Sequence, residues 1–266
     1  DLTSAFAVAG LGHGWSSSVM RDQSEHMIHA MGDVHPTRLK AELCRELSHC
    51  TYERWGEGLG KTTLSNSGSE AVETALKTAR LATGRDGIVT FANGYHGLGY
   101  GALLGGGFDK FRDPFASQLA DHRCVLNYPT NKAEMVRLED QLMDLDGEAI
   151  GAVLVEPIQG RGGKIVPPSD FLSLLRDWSD QHGVVLIFDE IYTGFNRTGK
   201  LFACEHEGIV PDLICLGKSM SGGYPISACV GKSSVVDAWP ESDGEALHTS
   251  TFLGNPVGCA MALASI

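Results

Sequence analysis

The chain has 266 residues, 42% hydrophobic and 20% charged, the balance of an ordinary soluble globular protein long enough to bury a sizeable core. A net charge of −12 disfavours nucleic acid and anionic membrane surfaces as partners, but leaves room for a small anionic ligand in a local field. No apolar run is long enough to cross a bilayer, and the seven cysteines are scattered with no C-x-x-C pair, so reduced thiols in a cytoplasmic protein are expected rather than a disulfide framework or a zinc site.

The chain starts at Asp1 without a methionine, which leaves a preceding targeting segment open. His26 and His29, three residues apart, have no acidic or cysteine partner nearby in sequence, and no metal is expected there. Leu39, Leu43 and Leu47 recur at i, i+4 and i+8, which predicts an amphipathic helix over 35–50. The stretch GEGLGKTTLSNSGS (56–69) then raises a question. Gly60-Lys61-Thr62 resembles the end of a nucleotide-binding P-loop, and VLIFDE (185–190) resembles an acid-ended strand that would go with it. The spacing fails, because Trp55 stands where the first glycine belongs and Gly56 is one residue too close. TTLSNSG also has turn and strand chemistry rather than that of a helix start.

A better anion site follows at once. Asn66-Ser67-Gly68-Ser69 leads into a helix at 69–84, with Val72, Ala75, Leu76 and Ala79 on one face and Gly84 as its C-cap. Free N–H groups, two hydroxyls and a glycine can cradle a phosphate, although simple N-capping by Ser67 or Ser69 accounts for the same residues. Apolar runs then alternate with helical patterns. Strands are predicted at 87–92, 124–128, 150–156, 184–190, 212–217 and 226–231, and helices at 131–144 and 169–182. This is an α/β domain with a mostly parallel sheet, in which ligands bind at the carboxyl ends of strands. Glu156, Asp189 and Lys218 each follow an apolar run directly.

Six motifs in order, SGSEA (67–71), GYHG (94–97), EPIQG (156–160), DEIYTGFNRTG (189–199), LGKSMSGGYP (216–225) and STFLGNP (250–256), span essentially the whole chain. Together they resemble the class III aminotransferases, pyridoxal-phosphate enzymes of the aspartate-aminotransferase-like fold. The resemblance implies an aminotransferase moving an amino group between an amine or amino acid and a 2-oxo acid. It further implies that Lys218 anchors pyridoxal 5'-phosphate and moves the proton, that Asp189 holds the pyridine nitrogen protonated, and that Tyr95 stacks on the ring beside His96. Gly68 and Ser69 match its phosphate-binding positions, and Glu156 and Tyr192 line the cofactor site. Thr251 matches a residue that reaches the phosphate from a partner subunit, so a homodimer with the active site at its interface is implied. On the residues alone, Lys218 could be a surface lysine, Asp189 a helix-capping acid, and Tyr95 and His96 ordinary core residues.

Three positions depart from the family pattern. Arg161 stands where many members have a glutamate, and that charge reversal argues against a plain aminobutyrate or ornithine type. Tyr192 replaces a frequent glutamine, and Asn196 replaces a glycine in a turn whose positive φ asparagine tolerates. Residues 1–50 are expected to lead into a cofactor-binding large domain over 51–266, with the family's C-terminal small domain absent. Two other readings share the residues: a racemase or aminomutase of the same fold, and an inactive fragment.

Overall fold

The computed structural model describes residues 14–32 and 34–266. Helices α1 (Gly14–His26) and α2 (Arg38–Ser48) come first, the latter capped by the Thr37 hydroxyl, which accepts from the Lys40 N–H. Strand β1 (Gly60–Ser65) and helix α3 (Gly68–Thr83) follow, then β2 (Gly87–Phe91) and the short helices α4 (Tyr100–Leu103) and α5 (Asp109–Arg112). Next come β3 (Arg123–Leu126), α6 (Lys132–Met143), β4 (Ile150–Val155), α7 (Phe171–His182) and β5 (Val185–Asp189). The chain continues through β6 (Leu213–Leu216), β7 (Ser227–Lys232), α8 (Ser233–Val236) and α9 (Pro256–Ser265).

Among the described residues, seven strands make one sheet in the order β1-β7-β6-β5-β4-β2-β3. Pairings among β2, β3, β4, β5 and β6 are parallel, whereas β7 runs antiparallel to both β6 and β1. The reversal has a simple cause. Only residues 217–226 connect β6 to β7, too few for the crossover that a parallel neighbour requires. The GKT triplet that imitates a P-loop lies in edge strand β1, where Lys61 pairs with the Asp237 carboxylate. It binds no phosphate from a helix start, because no helix starts there.

The central strands β4, β5 and β6 are apolar on both faces up to their carboxyl ends, as a sheet covered on two sides demands. Val185 and Ile187 face α3, while Leu186 and Phe188 face the opposite layer containing Leu43 and Leu47 of α2, Leu138 of α6, Leu175 of α7 and Ala262 of α9. The α3 layer is built from small residues, with Ala71, Ala75 and Ala79 at 1% exposure or less, so the helix lies close to the strands. Gly84 ends it at φ 72° as a left-handed cap. Among the described residues no helix is long and apolar enough to cross a membrane. Phe188 of β5 is fully buried, next to the strand's last residue. Phe188→Ala should lower unfolding free energy by about 3–5 kcal/mol, measured by urea denaturation.

Candidate active site

Four neighbouring parallel strands each deliver functional groups at or just beyond their carboxyl ends: β2 leads to Tyr95 and His96, β4 to Glu156, β5 ends in Asp189, and β6 leads to Lys218. Adjacency in the sheet therefore converts residues far apart in sequence into one cluster.

Asp189 and His96 are each 3% exposed and meet with Nδ1 to Oδ2 at 2.7 Å. The other Asp189 oxygen accepts from the Ile191 N–H at 3.1 Å. Burial opposes charge on His96, but the hydrogen bond and charge of Asp189 outweigh it, with help from Glu156, and its pKa is raised. Glu156 is 5% exposed, and its two oxygens accept from the N–H groups of Tyr95 at 3.0 Å and Gly160 at 3.1 Å. Burial, with Asp189 adding to it, lifts its pKa to about 7 in spite of His96 and those donors. The neighbouring Glu190 is an acid of another kind. Fully buried, it accepts from the N–H groups of Ala203 at 2.9 Å and Cys204 at 2.8 Å and from the Thr193 hydroxyl, which ties down the loop after β5.

Lys218 has a left-handed backbone, φ 45°, a strained conformation for a residue with a side chain. Its pKa is lowered, first by burial and then by the charge of Arg161, against the pull of Asp189 and Glu156. Its amine lies 5.9 Å from the centroid of the Tyr192 ring. Gly160 also meets that ring, and a Cβ there would come within 2.9 Å of it.

The start of α3 closes the cluster. Ser67, not Ser69, caps the helix, accepting from the Glu70 N–H while Glu70 accepts from the Ser67 N–H at 3.0 Å. That leaves the N–H groups of Gly68 and Ser69 with no acceptor among the described residues. A Cβ on Gly68 would fall 2.8 Å from Ile191, two residues beyond Asp189, so only glycine lets the helix start approach the β5 end. The Ser69 hydroxyl accepts from the Gly99 N–H at 3.0 Å, which ties the helix start to the loop carrying Tyr95 and His96.

Lys218, Asp189, Tyr95, His96, Glu156 and Tyr192 are thus brought together, with Gly68 and Ser69 at the adjoining helix start. Thr251 is exposed and shares no hydrogen bond with Gly68 or Ser69; its neighbour Ser250 accepts from the Asn66 amide at 3.3 Å. Asn196 adopts φ 65°, as its turn requires. His26 faces the Asp22 carbonyl oxygen and His29 lies against Phe252. A cavity of about 420 Å³ beside α3, lined by Leu76, Arg80 and Trp239, shares no residue with the cluster.

Phe111 went unnoticed in the sequence. It lies edge-on to Tyr95, ring centroids 5.9 Å apart, and the Arg161 guanidinium sits over both rings. Phe108, Phe111 and Phe115 stand at i, i+3 and i+7, a helical spacing, but nothing in the FDKFRDPF stretch points to Tyr95 or Arg161.

The model of the aminotransferase class-III family matches residues 1–266. Acetylornithine aminotransferase of Methanopyrus kandleri is 37% identical over 268 residues, covering 100% of this chain and 64% of its own length. An amine transaminase from an uncultivated Pseudomonas species, solved in a PLP-bound form, superposes with a TM-score of 0.87 at 30% identity over 96% of this chain and 62% of its own. The ornithine aminotransferase of Toxoplasma gondii gives 0.84 at 30% identity, covering 99% and 60% respectively. The chain therefore spans under two thirds of the length of these relatives. The protein belongs to the class-III aminotransferase family.

Proposed function

We propose that this chain forms the cofactor-binding part of a pyridoxal-phosphate-dependent aminotransferase that moves an amino group between an amine or amino acid and a 2-oxo acid. The observation that carries the reading is the convergence of Lys218, Asp189 and Glu156 at adjacent strand ends beside a helix start with two free N–H groups. Those residues fit the cofactor. The Gly68 and Ser69 N–H groups would hold the phosphate at the positive end of α3. Asp189, its position set by His96 and Ile191, would hold a proton on the pyridine nitrogen. Tyr95 would support one ring face, with Glu156 and Tyr192 lining the site.

When bound, pyridoxal phosphate supplies an aldehyde that captures the amine and a ring that accepts the electron pair released at the substrate carbon. Lys218 would anchor the cofactor and, once freed, move the proton at that carbon. Its burial favours the neutral amine that such a base requires. Glu156 keeps its proton to near neutrality, which limits negative charge beside Asp189. A homodimer in which Thr251 reaches the partner's phosphate site, and a cytoplasmic setting, belong to the same proposal.

Borohydride reduction in the presence of pyridoxal phosphate should add the cofactor's mass to the peptide containing Lys218. Lys218→Ala should gain none, and a label spread over surface lysines would sink the assignment. In the intact polypeptide, Asp189→Asn should slow amino transfer by about 100-fold or more, read as kcat/KM. Turnover of an amino acid without any added 2-oxo acid would point instead to an isomerase.

Glu156 also gives a stability signature. In the fold it titrates at about 7 against 4.5 for an ordinary carboxyl, so the folded chain holds the extra proton between those values. Stability contributed by this group is therefore lost as pH rises from 4.5 to 7, by up to about 3 kcal/mol. His96, raised above 6.5, stabilises below that value and loses its contribution only as pH climbs through its higher folded pKa. Glu156→Gln should flatten the stability curve between pH 4.5 and 7, measured by denaturant titration, and narrow the His96 window only by the smaller share that Glu156 adds to that of Asp189.

A further inference from the structure

Arg161 reverses a charge that many family members carry, and its surroundings are unusual for an arginine. The loop that bears it is pinned at its base. Gln159 and Ile165 exchange two backbone hydrogen bonds at 3.0 Å, the Lys164 N–H donates to the Gly160 carbonyl at 3.1 Å, and the Gln159 amide donates to the Ala92 carbonyl at 2.8 Å. The turn is tight enough to need Gly163 at φ 132° and Lys164 at φ 57°. From it the guanidinium carbon lies 4.3 Å from the Tyr95 ring centroid and 5.2 Å from that of Phe111.

The guanidinium carbon thus lies over two rings whose planes are 69° apart. Among the described residues no carboxylate or carbonyl accepts from Arg161, so five donors are aimed at nothing in the protein. The same guanidinium is close enough to Lys218 to depress its pKa. Lys218 has Asp189 and Glu156 as counter-charges, whereas Arg161 meets no acceptor among the described residues, so an arriving anion finds the guanidinium, whose fork a planar carboxylate matches.

We propose that Arg161, held by Tyr95 and Phe111, is a carboxylate receptor that makes the site select carboxylate-bearing amino donors and acceptors over plain amines. The inference rests on the aminotransferase reading for its substrates, and on the Arg161 geometry for its chemistry.

The test uses the intact polypeptide as wild type, Arg161→Gln and Arg161→Lys. Glutamate and alanine are compared with 1-phenylethylamine as amino donors, and unreactive glutarate is titrated by ligand-observed NMR. Arg161→Gln should raise KM for the carboxylate donors by about 10- to 100-fold with kcat little changed, and weaken glutarate by a similar factor. The amine should change by less than about 2-fold, and Arg161→Lys should restore only part of the loss, since a point charge lacks the fork. Equal losses on all donors, or unaltered glutarate affinity in Arg161→Gln, would overturn the proposal. A wild type that transfers from no donor would refute the aminotransferase reading instead, and the glutarate titration would still decide the role of Arg161.

Discussion

Two carboxyl groups, Glu156 and Asp189, stand at the ends of adjacent strands in a nearly dry place, and the surrounding structure is arranged to tolerate them. Each receives different help. Asp189 has an imidazole at 2.7 Å and one backbone N–H, whereas Glu156 has two backbone donors and no cation in hydrogen-bond contact. The difference separates their behaviour: one faces a group kept ready to carry positive charge, and the other gives up its proton only near neutrality. A pair of acids with divided roles is what lets one small volume hold a charge and a proton together.

The second requirement is reach. A helix start can act on a ligand held at the strand ends only if the helix lies low on the sheet. The alanine face of α3, together with Gly68 against Ile191, brings it there. The capping box then satisfies the outer donors and leaves the two that point onward. Packing of small residues and hydrogen-bond accounting thereby become features of the site, although neither involves a reactive group.

Much of this is legible in the sequence, for a reason that also marks the limit. Buried parallel strands are written as apolar runs, so the polar residue that ends each run stands out, and Glu156, Asp189 and Lys218 are visible in the order of residues alone. The direction of β7 is not written that way, because a strand reads the same in either sense and only the short β6–β7 connection decides. The choice between Ser67 and Ser69 as cap depends on a Glu70 side chain reaching back to the Ser67 N–H. The contact of Arg161 with its two rings joins segments 50 and 66 residues apart, and nothing in the local pattern of either announces the other.

The left-handed backbone at Lys218 has an effect on how this chain can change. A residue with a side chain held at φ 45° carries a conformational cost of about 1–3 kcal/mol, from which glycine is exempt. The fold would therefore be relieved by losing the lysine on which the proposed chemistry turns. Selection of this chain for heat resistance alone would drift toward glycine at position 218, and with it toward a sturdier protein without the proposed cofactor anchor.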